Sequence, residues 1–521
     1  MDASPVGYAR LIATLGLDVV PLAQVARIDG RTRSRSTKWE GQLEVLNFKS
    51  KYAPEEGFSG DLQFALRYEG VNLQVLDALF ERCGAGPLEE WLTRNPTSAY
   101  ARRAGFLFEW LTQTSLNVPP LSKKTNWLPV LDEDLQFGLG ATQERSHKFR
   151  IRNNLPGTRE FCPLVRKSSA IREHLGRDLK ARMGEILAKY PPDLLRRAAQ
   201  YLYLKETRST YEVERERPSA NRTQRFLDLL KTAPSGKPLS QENFVLAQNS
   251  ILEPRFHEFA YRSNQNWLGG HSRYRDTVDF VPARPEDVVG LMRGLCEMSA
   301  RGRAAALAGA AVDPVVHAAA IAFGFVFIHP FIDGNGRLHR YLLHEELSTL
   351  GFTPKGTVLP VSAFILSNLD LYGAVLDEFS KPVMARTGFT PPPPDVPATG
   401  NDPRLFRFFD ATAQALFLYR ALERTVEHDL EEEIHYLLSV ERARASLKEE
   451  IDWPPQSLDL FINVVHQNNG TLSKAKRDSH FSWLTEEEEA RFERAVNEAF
   501  SASSQEISRE VVGRTDRPSK K

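Results

Sequence analysis

The feature that most constrains the fold is an almost wholly apolar segment that leads directly into a cluster of polar residues and glycines. The apolar segment reads VDPVVHAAAIAFGFVFI, and the cluster HPFIDGNGRLHR follows it at 329–340. A helix that is apolar on all sides is expected to be buried. The sequence therefore predicts a buried helix whose end holds the side chain of His329 rigidly, as a reactive group requires.

The cluster contains side chains that suit phosphate chemistry. An imidazole has an ordinary pKa of about 6.5, so His329 could accept a proton near neutral pH. Asp333 supplies oxygen ligands of the kind that Mg²⁺ prefers. Gly334 and Gly336 would let the backbone adopt positive φ angles and gather N–H groups into an anion-binding nest at the start of a helix.

The residues after the nest predict a second helix. The leucines recur at helical spacing in GRLHRYLLHEELSTLG, and this helix would end near Gly351. Arg337 and Arg340 are three residues apart, so they share a helical face close to the nest. Guanidinium groups in this position could bind phosphate oxygens bidentately.

HPFIDGNGRLHR resembles the signature of the Fic family (filamentation induced by cyclic AMP), HPFx[DE]GN[GK]RxxR, and fills every specified position. The resemblance implies an enzyme that transfers a nucleoside monophosphate, most often AMP from ATP, to a Ser, Thr or Tyr hydroxyl of a target protein. Gly336 separates the chain from family members that carry Lys there and use the nucleotide as kinases. The length and extra regions resemble those of larger bacterial members.

The resemblance also implies roles for the residues that begin the motif. His329 would be the general base that takes the proton of the target hydroxyl. Asp333 would bind the Mg²⁺, or Mn²⁺ in its place, that bridges the α- and β-phosphates of ATP. Phe331 would point into the core and hold the loop.

The remaining motif residues would bind the phosphates of ATP. Asn335 would orient the α-phosphate, and the backbone of Gly334 and Gly336 would cradle phosphate oxygens. Arg337 would lie on the β-phosphate and Arg340 near the γ-phosphate, where they neutralise the charge that leaves as pyrophosphate.

A hairpin is predicted before the motif, in YRSNQNWLGGHSRYRDTVDFVP at 261–282, from its glycine pair, its β-prone run and its proline. QNWLGG and FVP resemble the flap of Fic proteins, which lies over the active site and pairs with the backbone of the target. Trp267, Gly269, Gly270 and Phe280 would then dock the target. The alternative is an ordinary surface hairpin with Trp267 packed on the core.

Many Fic proteins are silenced by a helix carrying [ST]xxxE[GN], whose Glu pairs with the second motif arginine. Thr210 to Glu214 resembles this segment, although Arg215 stands where Gly or Asn is expected. The alternative for Glu214 is a charge pair on a solvated helix face. The segment 36–41 fills the pattern completely, which leaves Glu40 as a second inhibitory candidate far from the motif.

Composition limits the other classes of function. The chain has 521 residues, enough for two to four domains, and its 67 basic and 67 acidic residues cancel. We therefore expect no binding to membranes and consider nucleic acid an unlikely partner. The three cysteines are widely separated and predict neither a zinc site nor a disulfide framework, so the cytoplasm is the expected location. The first residues resemble neither a signal peptide nor a membrane span.

The fold class predicted for the chain is mainly α and multidomain: a helical Fic core with a β-hairpin flap, flanked by an N-terminal α-rich or mixed domain and an all-helical C-terminal domain. TPPPPDVPATG marks the clearest boundary. The predicted segments are an N-terminal domain at 1–120, a connection at 121–165, the Fic domain at 166–388 with an inhibitory helix near 205–217, a Pro-rich linker at 389–400, a helical domain at 401–500 and a disordered tail at 501–521.

The sequence thus favours an adenylyltransferase whose partners are ATP and a hydroxyl-bearing protein, and which could also assemble with copies of itself. Transfer of another nucleotide such as UMP, or removal of AMP, are alternatives because the motif contacts phosphates rather than a base. From another class, the chain could be a nucleotide-sensing regulatory or interaction protein. Dinucleotide-binding, P-loop and zinc-hydrolase motifs are not supported.

Overall fold

The computed structural model describes residues 4–30, 34–41, 43–140, 144–270, 277–390 and 398–501. Apart from Ser501, the tail predicted at 501–521 lies outside the described residues, as do the four consecutive prolines of the predicted linker. In the part of the chain that is described, no helix combines the length and apolarity needed to cross a membrane.

The chain is mainly α-helical, as predicted, and its strands form three small sheets. The helices are α1 Tyr8–Leu15, α2 Phe58–Tyr68, α3 Leu73–Cys83, α4 Gly86–Arg94, α5 Ala99–Thr112, α6 Ser169–Leu175, α7 Leu179–Leu187, α8 Pro192–Val213, α9 Ala220–Lys231, α10 Gln241–Ile251, α11 Pro285–Leu307, α12 Pro314–Ile328, α13 Asn335–Thr349, α14 Val361–Ser367, α15 Leu369–Met384, α16 Pro403–Arg407, α17 Thr412–Arg424, α18 Leu430–Glu450, α19 Pro455–Gln467, α20 Lys474–His480 and α21 Glu486–Ser501. The strands are β1 Ser4–Val6, β2 Gln24–Ile28, β3 Ser36–Glu40, β4 Leu43–Phe48, β5 Leu128–Pro129, β6 Arg145–Ser146, β7 Ile151–Arg152, β8 Leu268–Gly270 and β9 Thr277–Phe280.

Two compact units make up the chain. The first comprises Met1–Arg177, Thr207–Lys355 and Ile365–Ala421, and the second comprises Asp178–Glu206, Gly356–Phe364 and Leu422–Lys521. The boundaries predicted at 120, 165, 388 and 400 all fall inside the first unit. The predicted boundaries themselves stay predictions.

The first unit begins with a mixed sheet covered by helices. Its strand order is β1-β2-β4-β3, with β2 parallel to β4 and the other pairs antiparallel. Apolar residues of α1 to α5 form one continuous core, in which Leu62, Leu76 and Leu107 are fully buried together with Ile151. Ile151 belongs to β7, so the short sheet β5-β7-β6 of the predicted connection is part of the same core.

The helices that carry the motif lie in the middle of the first unit. The interior of α12 is apolar and almost entirely buried, as its sequence predicts, and Asp313 caps its first turn by accepting hydrogen bonds from two main-chain N–H groups. In α13, Leu338, Leu342 and Leu347 are fully buried. Helix α13 ends at Thr349, close to the predicted end at Gly351.

Phe161, from the segment predicted to be a connection, fixes the helix that ends at His329. Its ring is fully buried and lies against Gly324 of α12, where an added Cβ would be 2.3 Å from the ring carbon Cζ. The backbone of Phe161 also approaches Gly294 of α11 closely, because a Cβ there would lie 2.7 Å from its nitrogen. The two glycines leave the space into which the phenylalanine inserts.

In the second unit, helices α18, α19 and α21 enclose a separate apolar core. Its fully buried members are Ala443, Leu447, Phe461, Val465, Phe481, Phe492 and Val496. An ion pair also joins Lys189, just after α7, to Glu431 at the beginning of α18; the two charged atoms are 3.0 Å apart.

We expect Phe161→Ala to lower the free energy of unfolding by about 3–5 kcal/mol, because it opens a cavity behind α12. Gly324→Ala should lower the free energy of unfolding of the wild type by about 1–3 kcal/mol, because its Cβ meets the Phe161 ring. The same change should lower it much less when it is combined with Phe161→Ala, which removes the ring. Urea denaturation of the full chain measures these values.

The matched control is Gly290→Ala in α11, where an added Cβ meets nothing within 4 Å. This change should stabilise the chain by about 1 kcal/mol through helix propensity. Equal costs for Gly324→Ala with and without the Phe161 ring would contradict the proposed packing.

Candidate active site

His329 lies where α12 ends and the motif loop begins. It caps α12 in a left-handed conformation (φ 55°, ψ 63°), and its N–H donates to the carbonyl of Phe325 at 2.9 Å. The ring nitrogen Nδ1 lies 3.2 Å from the carbonyl oxygen of Val326. This contact fits the tautomer in which Nδ1 donates, which leaves Nε2 free to accept a proton.

The surroundings of His329 keep its imidazole neutral. Burial lowers the pKa of His329 to about 4, while the Val326 carbonyl raises the pKa and the positive charge of Arg262 lowers it further. A neutral imidazole at physiological pH can act as a general base.

Arg262, which the sequence analysis did not single out, fixes the backbone of the catalytic histidine candidate. Its guanidinium is buried and donates to the main-chain carbonyls of His329 (2.8 Å), Asn264 (2.9 Å), Ile328 (3.3 Å) and Ala283. Its own N–H donates to the carbonyl of Pro330 at 2.8 Å. Burial lowers the pKa of Arg262 to about 10. The residue therefore joins both ends of the hairpin region to the motif loop.

Asn335 closes the loop between the two helices. Its side-chain Oδ1 accepts from the N–H of Phe331 at 3.0 Å, and its Nδ2 donates to the carbonyl of the same residue at 2.8 Å. Phe331 is fully buried, as expected, and contacts the ring of Tyr261 at 5.5 Å. Both polar groups of the Asn335 amide thus hold the loop, and its expected contact with an α-phosphate remains a prediction.

The two motif glycines act differently from each other. Gly334 has φ 86° and precedes the first residue of α13, as the predicted nest requires. Gly336 lies inside α13 without a positive φ, so the expectation of a left-handed conformation is wrong there. Its missing side chain matters instead, because a Cβ would lie 2.4 Å from Oε1 of Glu214.

Glu214 contacts both motif arginines. Its Oε1 accepts from Nη2 of Arg340 at 2.5 Å, and its Oε2 lies 3.2 Å from Nε of Arg337. The two arginines are 1% and 2% exposed, so the carboxylate neutralises charges that are removed from water. Thr210, one helical turn earlier, is buried and accepts from Nη2 of Arg340 through its carbonyl at 3.1 Å.

Arg215, which stands where the inhibitory pattern has Gly or Asn, adopts a backbone conformation that those two residues favour. Helix α8 ends at Val213, and Arg215 adopts a left-handed conformation with φ 57°. The N–H of Glu216 then donates to the carbonyl of Tyr211 at 2.9 Å, which terminates the helix. Arg can occupy this position at a cost of about 1–2 kcal/mol relative to glycine.

Glu40, the second inhibitory candidate, is not placed on a helix. Ser36–Glu40 forms strand β3, and the carboxylate of Glu40 accepts from Nη1 of Arg27 at 3.0 and 3.1 Å. The chain therefore brings only one of the two candidate glutamates to the motif arginines.

The carboxylate of Asp333 is half-exposed and forms hydrogen bonds through one of its two oxygens. Its Oδ1 accepts from its neighbour Gly334 at 2.6 Å and from Nη2 of Arg337 at 3.0 Å, while the side chain is 54% exposed. No cluster of three or more potential ligands occurs among the described residues. A single half-exposed carboxylate fits Mg²⁺, which commonly binds one or two carboxylates together with substrate phosphates and water.

The predicted hairpin is formed by β8 and β9, which pair antiparallel, although residues 271–276 of its tip lie outside the described residues. Gly269 is required by the close approach of the strands, since a Cβ there would lie 1.8 Å from the carbonyl oxygen of Thr277. Phe280 is buried against Phe379, and Trp267 is partly buried. The docking role of Trp267, Gly269, Gly270 and Phe280 remains a prediction.

Glu258 is a second residue that the sequence analysis missed. Its Oε1 accepts from the N–H of Ile332 at 3.0 Å and from Nε2 of Gln248 at 3.0 Å. Burial raises the pKa of Glu258. The carboxylate supports the motif loop from the side of α10, and no local sequence pattern marks this contact.

Comparisons with known proteins match the part of the chain that contains the motif. The model of the Fic/DOC family matches residues 239–347, which include the hairpin and the motif. Proteins named protein adenylyltransferase Fic from Drosophila willistoni and Drosophila virilis are 35% and 34% identical over 94 residues. Each match covers 18% of this chain and 16% of the relative, so this chain aligns with only a small part of those proteins.

Two solved structures are also similar. A Fic family protein from Desulfovibrio desulfuricans G20 matches with 16% identity and a TM-score of 0.33, covering 66% of this chain and 87% of the other. A Fic domain containing signaling protein from Bacteroides thetaiotaomicron VPI-5482 matches with 20% identity and a TM-score of 0.32, covering 47% and 96%. The motif and the family match therefore identify residues 239–347 of this chain as a Fic domain.

Proposed function

We propose that this chain transfers AMP from ATP to a Ser, Thr or Tyr hydroxyl of a target protein, and that Glu214 restrains the reaction. The observation that carries the proposal is the position of one carboxylate on two buried guanidinium groups close to a neutral histidine. A carboxylate there occupies a place suited to a phosphate, because both present oxygens to the same donors.

The arginines have donors left for an incoming phosphate. Nη1 of Arg337 and Nε of Arg340 are buried and lack a hydrogen-bond partner among the described residues. Unpaired buried donors are costly, and the oxygens of a triphosphate would satisfy them. The β- and γ-phosphates are the groups that this pair of arginines suits best.

In the proposed reaction, the hydroxyl oxygen of the target attacks the α-phosphorus of ATP. The new P–O bond forms as the bond to the β-phosphate oxygen breaks, and pyrophosphate leaves. Nε2 of His329 accepts the hydroxyl proton, while Arg337 and Arg340 stabilise the negative charge that moves to the leaving group. Mg²⁺ bound at Asp333 would supply further neutralisation of phosphate charge.

Glu214 would limit transfer by competing with the terminal phosphate. Productive binding of ATP must first break the charge-assisted hydrogen bond between Glu214 and Arg340. Couplings of this kind are about 1–3 kcal/mol, or about 5–150-fold in affinity. None of these contacts selects a base, so the assay below includes the other nucleoside triphosphates.

We expect Glu214→Gly to raise AMP transfer by about 5–150-fold, including transfer to the chain itself, because it frees Arg340. Adding His329→Ala should lower the rate by about 10²–10⁴-fold through loss of the base. The measurement is incorporation of label from ATP, UTP, GTP or CTP with Mg²⁺, on the chain and on cell lysate.

The matched control is Glu212→Gly, which changes an exposed glutamate two residues earlier, in the last turn of α8. An equal increase with Glu212→Gly, or no increase with a folded Glu214→Gly variant, would contradict the proposed restraint. If ATP binds but no nucleotide yields labelled product, a nucleotide-sensing role replaces transfer.

Arg262→Lys, in the Glu214→Gly background, should lower kcat by about 10–100-fold with little change in the KM for ATP. Lysine keeps the positive charge but cannot reach four carbonyls, so the backbone of His329 loses its fixed position. Arg284→Lys, which changes a partly exposed arginine near the start of α11, is the control. An unchanged kcat for Arg262→Lys would rule out this positioning role.

A further inference from the structure

Exposed apolar side chains are concentrated beside the motif loop. Eleven large hydrophobic residues are exposed in the described part of the chain, and four of them belong to two short segments at this loop. These four, the apolar rim, are Phe256 (52% exposed), Phe259 (92%), Leu268 (38%) and Ile332 (56%). Clusters of exposed apolar residues mark interaction surfaces more often than single ones do.

Hydrogen bonds place the two segments side by side. The segment 256–268 is joined to the loop 329–332 by Glu258 to the N–H of Ile332 (3.0 Å), by the N–H of Arg262 to the carbonyl of Pro330 (2.8 Å), and by Nδ2 of Asn266 to the carbonyl of Phe331 (3.1 Å). The apolar rim therefore borders the loop that begins with His329 and continues onto strand β8 of the hairpin.

Hydrogen bonds of Glu258 fix the backbone next to Phe259. The N–H and carbonyl of Glu258 form two hydrogen bonds with the side chain of Asn249, at 3.0 and 2.8 Å. The carboxylate of Glu258 is held by Ile332 and Gln248. With its main chain and side chain both fixed, Glu258 anchors the backbone beside Phe259 while the phenyl ring faces solvent.

We propose that the apolar rim binds apolar side chains that flank the modified hydroxyl in the target protein. This inference rests on the proposed AMP transfer and names the kind of segment that the enzyme would accept. A rigid apolar anchor loses little conformational freedom on binding, which favours its use in recognition. An extended segment that pairs with the hairpin would point alternate side chains toward the rim.

The position of the rim argues for a transient protein segment rather than a second copy of the chain. Whatever brings a hydroxyl to His329 must pass the residues that border its loop, and Ile332 lies three residues from it. A permanent partner seated on the rim would obstruct that approach. The occupant is therefore a substrate that arrives and leaves with each turnover.

The test uses peptides with a central Ser, Thr or Tyr whose flanking residues are Leu or Phe, Ser, or Glu. We expect the Glu214→Gly enzyme to label apolar-flanked peptides with kcat/KM about tenfold or more above the Ser-flanked ones. Adding Phe259→Ser and Leu268→Ser should remove this preference without changing ATP affinity. Leu307→Ser, which changes a residue 90% exposed at the end of α11, should preserve the preference.

Any of four results would overturn the inference. Labelling of all peptides without preference would show that the rim does not select the target, and so would a preference that survives Phe259→Ser and Leu268→Ser. Sedimentation that shows a dimer of the wild type, dissociated by Phe259→Ser, would assign the rim to a second copy. No label on any peptide, protein or the chain itself would instead reject the proposed transfer, and this inference with it.

Discussion

The contact between Glu214 and the two arginines of α13 is the interaction on which the candidate site depends. Arg337 and Arg340 are almost fully buried, and a buried cation without a partner is strongly destabilising. The carboxylate of Glu214 supplies that partner. The same ion pair therefore stabilises the site and, in the proposed function, restrains it. Gly336 makes the contact feasible, because any side chain at that position would meet the carboxylate.

The other requirement of the site is a fixed histidine, and residues outside the motif provide it. The buried helix α12 determines where the chain turns at His329, and Phe161 holds that helix against α11. Arg262 then binds the carbonyl of His329 and the two carbonyls that flank the hairpin. Preorganisation of this kind lets a reactive group act without reorganising during the reaction.

Local sequence predicted the parts of the site that depend on local structure. The apolar run forms helix α12, and Gly334 adopts the predicted left-handed conformation. The two arginines three residues apart both contact Glu214. Arg262 was not predicted because its partners are main-chain carbonyls, which carry no signal in a sequence. Glu258 was not predicted because it joins Gln248 to the N–H of Ile332, and these residues are far apart in the sequence. The choice between Glu214 and Glu40 also required the tertiary structure, since the better match to the pattern forms a strand. Sequence also gave no sign that Phe161, just before the boundary predicted at 165, packs against α11 and α12 far along the chain.

The most direct test of this account is calorimetric titration of ATP and AMP, with Mg²⁺, into the wild type and Glu214→Gly. If Glu214 competes with the terminal phosphates for the arginines, its removal should tighten ATP binding by about 5–150-fold. Binding of AMP, which lacks the β- and γ-phosphates, should change by less than about twofold by the same reasoning. Equal changes for the two nucleotides, or none for ATP, would contradict the competition.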